Sequence, residues 1–214
     1  GAGEAVDTLK EGDEVTLSCA EGERGFVYEG TLDYEVLEVE LGGLPETKTR
    51  IMMNMASPGA AFRWWRLPCK GIGLARMEFI INNIIKIHPM ALGRYDDLED
   101  KEAKKQIKKL TVNYEDKAQY FIDNLAIGIA KIAASAYPNP TIVRMSDFKT
   151  NEYADLVGGR EFEPGENNPM LGFRGASRYT SDRYREGSAL ECMAIRQVRE
   201  AIGLDNVVDR KSVV

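Results

Sequence analysis

The chain has 214 residues, of which 43% are hydrophobic and 29% charged, and its formal net charge is −6. This length and mix are typical of one or two ordinary globular domains. The acidic balance argues against a nucleic-acid-binding protein, which would present a basic patch. An anionic substrate would therefore have to be bound by locally placed arginines and not by the overall field.

The three cysteines, Cys19, Cys69 and Cys192, lie far apart in the sequence. Their odd number and wide spacing predict neither a disulfide framework nor a zinc site. No apolar stretch approaches the roughly 18 residues of a membrane span, and no leader-like segment opens the chain. We therefore expect reduced thiols in a cytoplasmic protein with no membrane contact.

The first forty residues show the pattern of short strands. Residues 14–18 alternate polar and apolar side chains, residues 25–29 follow a glycine-containing turn, and residues 32–39 alternate again. A glycine- and proline-containing stretch at 41–45 is the predicted linker. About forty residues are few for an independent core, so we interpret residues 1–41 as the end of a domain and residues 42–214 as a second domain.

Beyond residue 45 the pattern changes to alternating strands and helices. Short apolar runs predict strands, and runs with helical spacing predict helices. The predicted strands are residues 50–55, 71–75, 141–145, 170–173 and 206–208. The predicted helices are residues 58–65, 77–87, a Lys- and Glu-rich segment capped by Asp96 or Asp97, residues 114–136 and residues 183–202.

This alternation predicts βα units around a parallel sheet. A complete βα barrel needs eight strands and about 250 residues, whereas only four or five strands are predicted after residue 45. The pattern alone leaves two possibilities, a complete open sheet and an incomplete barrel.

Two arginines follow predicted strands. Arg76 comes directly after residues 71–75, and Arg144 lies near the end of residues 141–145. Ligands of βα folds bind at the carboxyl ends of the strands, and the planar guanidinium matches phosphate or carboxylate. A pair of this kind would suit a ligand that has both groups. The simpler alternative is that each arginine forms a structural ion pair with Glu78 or Asp147.

Other candidates for chemistry have simpler explanations. The single histidine, His88, ends an apolar helical run next to Pro89, which favours helix capping or packing over a catalytic or phosphoacceptor role. Gly71 and Gly73 lack the third glycine of a dinucleotide-binding motif, so we expect them to relieve crowding where the chain approaches a ligand.

Several stretches resemble the phosphoenolpyruvate synthase family. They are IVRMSDFKTNEYADLVGG at residues 142–159, ENNPMLGFRG at 166–175 and GIGLARMEFI at 71–80. The stretch from SCAEG at 18–22 through VYEG at 27–30 resembles the end of the family's swivelling phosphohistidine domain. The motif after Gly71 is shared with pyruvate phosphate dikinase and the first enzyme of the sugar phosphotransferase system. The stretch at 146–159 is more specific to the synthases.

The resemblance implies an α/β fold made of the first four to five βα units of a TIM-type (β/α)8 barrel. The barrel would follow the end of a swivelling phosphohistidine domain. It also implies the conversion of ATP, pyruvate and water to phosphoenolpyruvate, AMP and phosphate. In such enzymes the arginines matching Arg76 and Arg144 bind the substrate.

The remaining family parts are expected outside residues 1–214. They are the phosphorylated histidine, the nucleotide-binding domain, the acids that bind Mg²⁺ and the proton-donating cysteine. No catalytic or metal-binding residue is therefore expected within the chain, which should be inactive alone. Residues 209–214 depart from the apolar strand of the family, as a cloning tail or a truncated gene product would.

Two alternatives remain open at this stage. One is a fragment of pyruvate phosphate dikinase, which uses phosphate in place of water. The other is a non-catalytic α/β interaction module that folds as a small open sheet. In the fragment interpretation, half a barrel exposes strand edges and apolar surface, so we expect a homo-oligomer or aggregation.

Overall fold

The structure is a computed structural model that describes residues 8–20, 25–38, 40, 43 and 45–210. The chain divides into two compact units. One comprises Gly1–Lys48 and Arg66–Pro68, and the other comprises Thr49–Trp65 and Cys69–Val214. Residues 41, 42 and 44 of the predicted linker and all of residues 211–214 lie outside the described residues.

The first unit contains a two-stranded antiparallel sheet. Strand β1 (Val15–Ser18) pairs with β2 (Phe26–Glu29) so that Val15 lies opposite Glu29. Both strands were predicted. The third predicted strand is wrong, because residues 32–38 form no strand and residue 39 is not described. Two strands alone bury little apolar surface, and the side chain of Leu17 is 69% exposed.

The second unit is built on a four-stranded parallel sheet with the order β3-β4-β5-β6. Its strands are β3 (Met53–Met55), β4 (Ile72–Arg76), β5 (Thr141–Arg144) and β6 (Val207–Arg210). A mixed α/β fold with a parallel sheet is therefore confirmed. Strand β6 continues through Asp209 and Arg210, so these charged residues do not interrupt it.

Helices connect the strands. They are α1 (Pro58–Trp64), α2 (Met77–Ile80, continued by a π-helical turn Ile81–Ile85), α3 (Pro89–Gly93), α4 (Lys101–Leu110), α5 (Lys117–Ala136), α6 (Thr150–Ala154), α7 (Ala176–Thr180) and α8 (Arg185–Arg196, continued by a π-helical turn Gln197–Ile202).

Local sequence explains where these helices begin and end. Ser57 caps α1 by accepting a hydrogen bond from the Ala60 N–H, with Pro58 at the first helical position as predicted. Asp100 caps α4 in place of the predicted Asp96 or Asp97, which lie one turn too early. Gly203 ends the last helix with φ 87°, as its predicted position required.

The long helix α5 packs against strands β4 and β5 and against helices α1 and α8. On β5, Thr141 and Val143 are buried, whereas the alternate residues Ile142 and Arg144 are only half-buried. The buried residues of β5 thus lie on one face of the sheet, and the other face stays accessible. Arg144 belongs to the accessible face.

Two sequence expectations fail in this unit. Residues 170–173 form turns and no strand, because the carboxylate of Glu166 accepts a hydrogen bond from the Phe173 N–H and Asn168 accepts one from the Met170 N–H. Gly71, with φ 123°, does relieve crowding, but the crowding is with the backbone just before β5 and not with a ligand. A Cβ there would lie 2.3 Å from the carbonyl oxygen of Pro140.

Candidate functional site

The two predicted arginines meet at one edge of the parallel sheet. Arg76 and Arg144 end neighbouring strands β4 and β5, and their Cα atoms are register partners. Paired residues on parallel strands project to the same face, so both side chains line one cleft of about 440 Å³. This cleft lies at the carboxyl ends of the strands, where βα folds bind their ligands.

The cleft contains a balanced set of charges. Four cations and four carboxylates line it, together with two aromatic rings and an amide: Arg76, Arg144, Lys149, Arg174, Glu78, Asp147, Glu152, Asp155, Phe79, Phe148 and Asn82. Selection for an anion must therefore come from guanidinium groups whose donors remain free, since the summed charge is close to neutral.

Arg144 is both ion-paired and incompletely satisfied. Its Nη2 donates a short hydrogen bond to Glu78 Oε1, and its Nη1 lies 3.9 Å from Asp147 Oδ2. The simpler hypothesis of a structural pair is thus realised for this residue. However, its Nε and the Oε2 of Glu78 are buried and have no hydrogen-bond partner in the described chain. A buried unpaired donor is unfavourable, and a bound anion would satisfy it.

Arg76 is held differently. Its guanidinium carbon lies 4.6 Å from the centre of the Phe79 ring, and the residue is exposed. Within the described ranges, no carboxylate oxygen lies within 4.0 Å of its nitrogens. A cation stacked on a ring keeps its in-plane N–H donors free. Arg76 is accordingly available for a phosphate or a carboxylate.

A third arginine of the cleft was missed at the sequence level. Arg174 donates from Nε and Nη2 to the two oxygens of Asp147 at 3.1 and 3.0 Å. This bidentate pairing raises the pKa of Arg174 further, so it is charged. It lies in the quoted motif at 166–175, but it follows no strand, and the strand-end rule therefore could not identify it.

The segment after Arg144 is fixed by two carboxylates through successive peptide N–H groups. The Ser146 N–H donates to Glu191 Oε2 at 3.1 Å, and the Asp147 N–H donates to Glu78 Oε1 at 3.1 Å. Glu78 lies on α2 and Glu191 on α8, so two helices from distant parts of the sequence determine how the chain leaves β5.

Behind this segment lies a buried cluster of hydroxyl groups around Glu191. Ser146 Oγ and the Tyr184 hydroxyl both contact Glu191 Oε1, and the Tyr153 hydroxyl contacts Ser146 Oγ at 2.5 Å and the Tyr184 hydroxyl at 2.7 Å. Burial raises the pKa of Glu191 to about 7 and holds the pKa of both tyrosines well above the ordinary value.

A buried ion pair adjoins this cluster. Arg178 donates to both oxygens of Glu163 at 2.6 Å, and its guanidinium lies over the rings of Tyr153 and Tyr184 at 4.3 and 4.9 Å. Arg178 also donates from Nε to the carbonyl of Phe173 at 3.0 Å. The pair thereby connects the loop that contains Arg174 to the core.

His88 caps a helix, as predicted, but it caps the start of α3 and not the end of the preceding helical run. Its Nδ1 accepts the Met90 N–H at 3.2 Å at the start of α3, so Nε2 bears the proton and donates to Glu163 Oε1 at 3.1 Å. Burial lowers the pKa of His88, although Glu163 opposes that shift. The ring is fully buried and neutral at pH 7, in a position where it cannot receive a phosphoryl group from a soluble donor.

The described residues bring together no group of three or more His, Cys, Asp or Glu side chains that would hold a metal ion. In that same part of the chain, no helix has the length and apolar character needed to cross a bilayer. The three cysteines, Cys19, Cys69 and Cys192, all lie among the described residues, and no disulfide joins any two of them.

Sequence comparisons identify the class of protein that this cleft belongs to. Residues 36–207 match the profile of the PEP-utilising enzymes, specifically their PEP-binding domain, and the chain belongs to this family. The match covers most of the chain, including Arg76, Arg144 and Arg174.

Individual relatives refine this assignment. The chain is 56% identical to a phosphoenolpyruvate synthase of Synechocystis over 209 residues, 49% identical to one of Aquifex aeolicus over 251 residues and 46% identical to one of Escherichia coli over 207 residues. These alignments cover 97%, 96% and 97% of this chain but 26%, 29% and 26% of the relatives. The chain thus spans about a quarter of their length, and the predicted resemblance is confirmed.

Proposed function

We propose that this chain forms the phosphoenolpyruvate- and pyruvate-binding part of a phosphoenolpyruvate synthase. The complete enzyme would convert ATP, pyruvate and water to phosphoenolpyruvate, AMP and phosphate. The observation that best supports this is the register pairing of Arg76 and Arg144 at the carboxyl ends of adjacent strands, over one cleft. The names of the relatives indicate the synthase and not pyruvate phosphate dikinase.

The arginines would act through their positive charge and through the orientation of their N–H donors. Phosphoenolpyruvate has a phosphate and a carboxylate, and each can accept two parallel N–H bonds from a guanidinium. Among the described residues, Arg76 has no ion-pair partner and stacks on Phe79, and the buried Nε of Arg144 has no hydrogen-bond partner. Both groups would stabilise negative charge on the transferring phosphoryl group and on the enolate oxygen of pyruvate, because they are oriented before the substrate arrives.

We propose Arg174 as a third cation of this site. It lines the same cleft, and Asp147 fixes its guanidinium through two hydrogen bonds. Asp147 also lies 3.9 Å from Arg144. Its carboxylate thus lies next to both Arg144 and Arg174 and offsets the repulsion between these two cations. The carboxylates of the cleft would in this way orient the guanidinium groups towards a ligand.

We further propose that the parallel sheet is the first half of a TIM-type barrel. Its four strands follow chain order with no reversal, whereas a doubly wound sheet reverses its order at a switch point. Its open face retains apolar side chains, of which Val208 is 49% exposed. Further strands would cover this face. Residues 1–41 would then be the end of the phosphohistidine domain, and residues 42–214 the barrel segment.

The other parts of the reaction are proposed to lie outside this chain. These are the ATP site, the phosphocarrier histidine, the catalytic proton donor and the ligands of Mg²⁺, since the described residues offer no suitable cluster of acids. The chain alone is therefore proposed to be inactive. We expect it to associate with itself through its open sheet edge, in the cytoplasm, without nucleic-acid or membrane partners.

The decisive experiment is calorimetric titration of phosphoenolpyruvate into the chain. Arg144→Ala and Arg76→Ala should each weaken binding by about ten- to a hundredfold, because a hydrogen bond to a charged group contributes about 1.5–3 kcal/mol. The matched control is Arg94→Ala, an arginine paired with Glu186 at the surface and outside the cleft. Equal affinity of all four proteins would refute the proposed site and favour a non-catalytic interaction module.

A further inference from the structure

The buried hydroxyl cluster behind the cleft is a closed ring. Its four members are Glu191, Ser146, Tyr153 and Tyr184, hereafter the hydroxyl ring. Glu191 Oε1 contacts Ser146 Oγ, which lies 2.5 Å from the Tyr153 hydroxyl. That group lies 2.7 Å from the Tyr184 hydroxyl, which returns to Glu191 Oε1 at 3.0 Å. Each of the four oxygens therefore has two ring neighbours.

The number of protons determines the charge of Glu191. Four oxygen–oxygen contacts need four hydrogens, one between each pair of neighbours. The serine and the two tyrosines supply three. With an ionised Glu191, one contact of the ring would bring lone pairs together at 3.0 Å or less in a site that excludes water. A proton on Glu191 Oε1 supplies the fourth hydrogen and closes the ring.

The remaining oxygen of Glu191 then has a suitable role. In a neutral carboxylic acid Oε2 is the carbonyl oxygen, and it accepts the Ser146 N–H at 3.1 Å. Glu191 is fully buried on α8, and the chain that it holds is the segment between Arg144 and Asp147. The ring therefore reaches the candidate substrate site through a single peptide group.

The surrounding charges favour the neutral acid. Glu78 lies on α2, across the Ser146–Asp147 segment, and its negative charge disfavours ionisation of Glu191. Tyr153 of α6 and Tyr184 before α8 stay protonated. Arg178 of α7 lies over the rings of Tyr153 and Tyr184, but it is already paired through two hydrogen bonds with Glu163, which also binds His88. The described surroundings thus supply no spare cation to balance an ionised Glu191.

We propose that Glu191 is a positioning residue of the phosphoenolpyruvate site, held as a neutral carboxylic acid by the hydroxyl ring, and that through Ser146 it sets the placement of Arg144 and Asp147. Its effect on binding rests on the proposed function above, whereas its protonation does not. Ionisation of Glu191 breaks the ring, loosens the Ser146 peptide and weakens anion binding. Affinity should accordingly fall as the pH rises through the pKa of Glu191.

The first test measures that pKa directly. Protein labelled with carbon-13 at the glutamate carboxyl groups is titrated by NMR from pH 4 to pH 9, and the Glu191 signal is assigned by its loss in Glu191→Gln. The proposal expects a midpoint near 7. A midpoint at the ordinary value of a glutamate would overturn it.

A hydroxyl that does not touch Glu191 provides the sharper test. Tyr153→Phe removes the contact that lacks a hydrogen in the ionised state, and Ser146 and Tyr184 can then both donate to the carboxylate. The pKa of Glu191 should fall, although its own hydrogen bonds are retained. The control is Tyr120→Phe, which should leave the pKa of Glu191 unchanged; Tyr120 is buried, and its hydroxyl donates to the Ile85 carbonyl at 3.4 Å. An unchanged pKa in Tyr153→Phe refutes the ring, and if that variant does not fold, the wild-type titration decides.

The second test concerns binding. The affinity of the wild-type chain for phosphoenolpyruvate should fall about tenfold between pH 6 and pH 8.5, relative to Glu191→Gln, which stays neutral. This ratio cancels the titration of the ligand itself. Glu200→Gln, an exposed carboxylate that follows α8, should titrate like the wild type. Parallel affinities in wild type and Glu191→Gln would refute the positioning role. A chain that shows the NMR midpoint but binds no phosphoenolpyruvate would refute the proposed function and leave the ring intact.

Discussion

The two polar regions on either side of the Arg144–Asp147 segment differ in how completely their groups are paired. In the cleft, Arg144 Nε and Glu78 Oε2 are buried and have no hydrogen-bond partner among the described residues. Arg76 lies over the Phe79 ring and forms no ion pair with any described carboxylate. Behind the segment, every oxygen of the hydroxyl ring has two neighbours, and Arg178 is bound through three of its nitrogens. Unpaired donors indicate a surface that awaits a ligand, whereas complete pairing indicates a support.

This contrast predicts that substitutions in the two regions affect different quantities. Changes behind the segment should lower the free energy of unfolding, because they leave charges or dipoles buried without partners. Changes in the cleft should lower the affinity for an anion, and they should affect the fold little except at Arg174, which is bound to the carboxylate of Asp147. The four predictions below run from the largest expected effect to the smallest.

The largest effect should come from Arg178→Ala. It leaves the Glu163 carboxylate buried, with His88 as its remaining side-chain partner among the described residues, and we expect the free energy of unfolding to fall by about 3–5 kcal/mol. Urea denaturation at pH 7 measures it. The matched substitution is Arg94→Ala, whose partner Glu186 is exposed and whose cost should be at most about 1 kcal/mol. Similar losses in both variants would contradict the distinction between support and surface.

Glu191 should make stability depend on pH in an unusual direction. Its folded pKa of about 7 lies above the ordinary value of 4.5, so the folded chain binds the proton more tightly than the unfolded chain. The resulting stabilisation is complete below pH 4.5 and is lost as the pH rises through 7. It amounts to about 3 kcal/mol, from the pKa difference at 1.36 kcal/mol per unit.

The measurement is the free energy of unfolding of the wild type minus that of Glu191→Gln, by denaturation at pH 5, 6, 7 and 8. This difference should decrease steadily across the series, since the glutamine cannot ionise. A difference that stays constant or increases with pH would show that Glu191 is ionised in the folded chain.

Arg174→Ala should affect both quantities. Asp147 loses its bidentate partner and keeps only the more distant Arg144, which should lower the free energy of unfolding by about 1–3 kcal/mol. The loss of a cleft cation should also weaken binding of phosphoenolpyruvate by about tenfold. Calorimetric titration and denaturation of the same preparation separate the two effects. A variant with reduced stability but unchanged affinity would remove Arg174 from the proposed site.

Arg76→Ala should affect stability least. The side chain is exposed and forms no ion pair within the described residues, so the free energy of unfolding should change by less than about 0.5 kcal/mol. Its affinity for phosphoenolpyruvate should nevertheless fall as far as that of Arg144→Ala. A destabilised Arg76→Ala with unaltered binding would reverse the assignment of this residue from ligand to scaffold.

The sequence predicted those residues of the site that lie at the ends of strands. Arg76 and Arg144 were found because a short apolar run ends at each, and such positions meet at one edge of a parallel sheet. The capping role of His88 was found because proline follows it. These are local signals, and the structure retains them.

The supporting residues could not be found in this way. Glu191 and Arg178 lie in helical segments where a charged residue predicts an exposed face, yet both are buried. Their burial depends on partners that are distant in sequence or lie in irregular loops, such as Ser146, which is 45 residues from Glu191. Arg174 was missed for a related reason, because it lies in a series of turns and not at the end of a strand.

The register pairing of Arg76 with Arg144 also limits which ligands the cleft can accept. Neighbouring strands lie about 4.8 Å apart, a spacing that backbone hydrogen bonding enforces and that side-chain substitutions cannot alter. The backbone positions that bear the two guanidinium groups are therefore separated by a fixed, short distance. We expect a compact molecule with two adjacent anionic groups to engage both arginines at once. An elongated dianion whose charged ends lie well beyond that spacing would engage one arginine at a time.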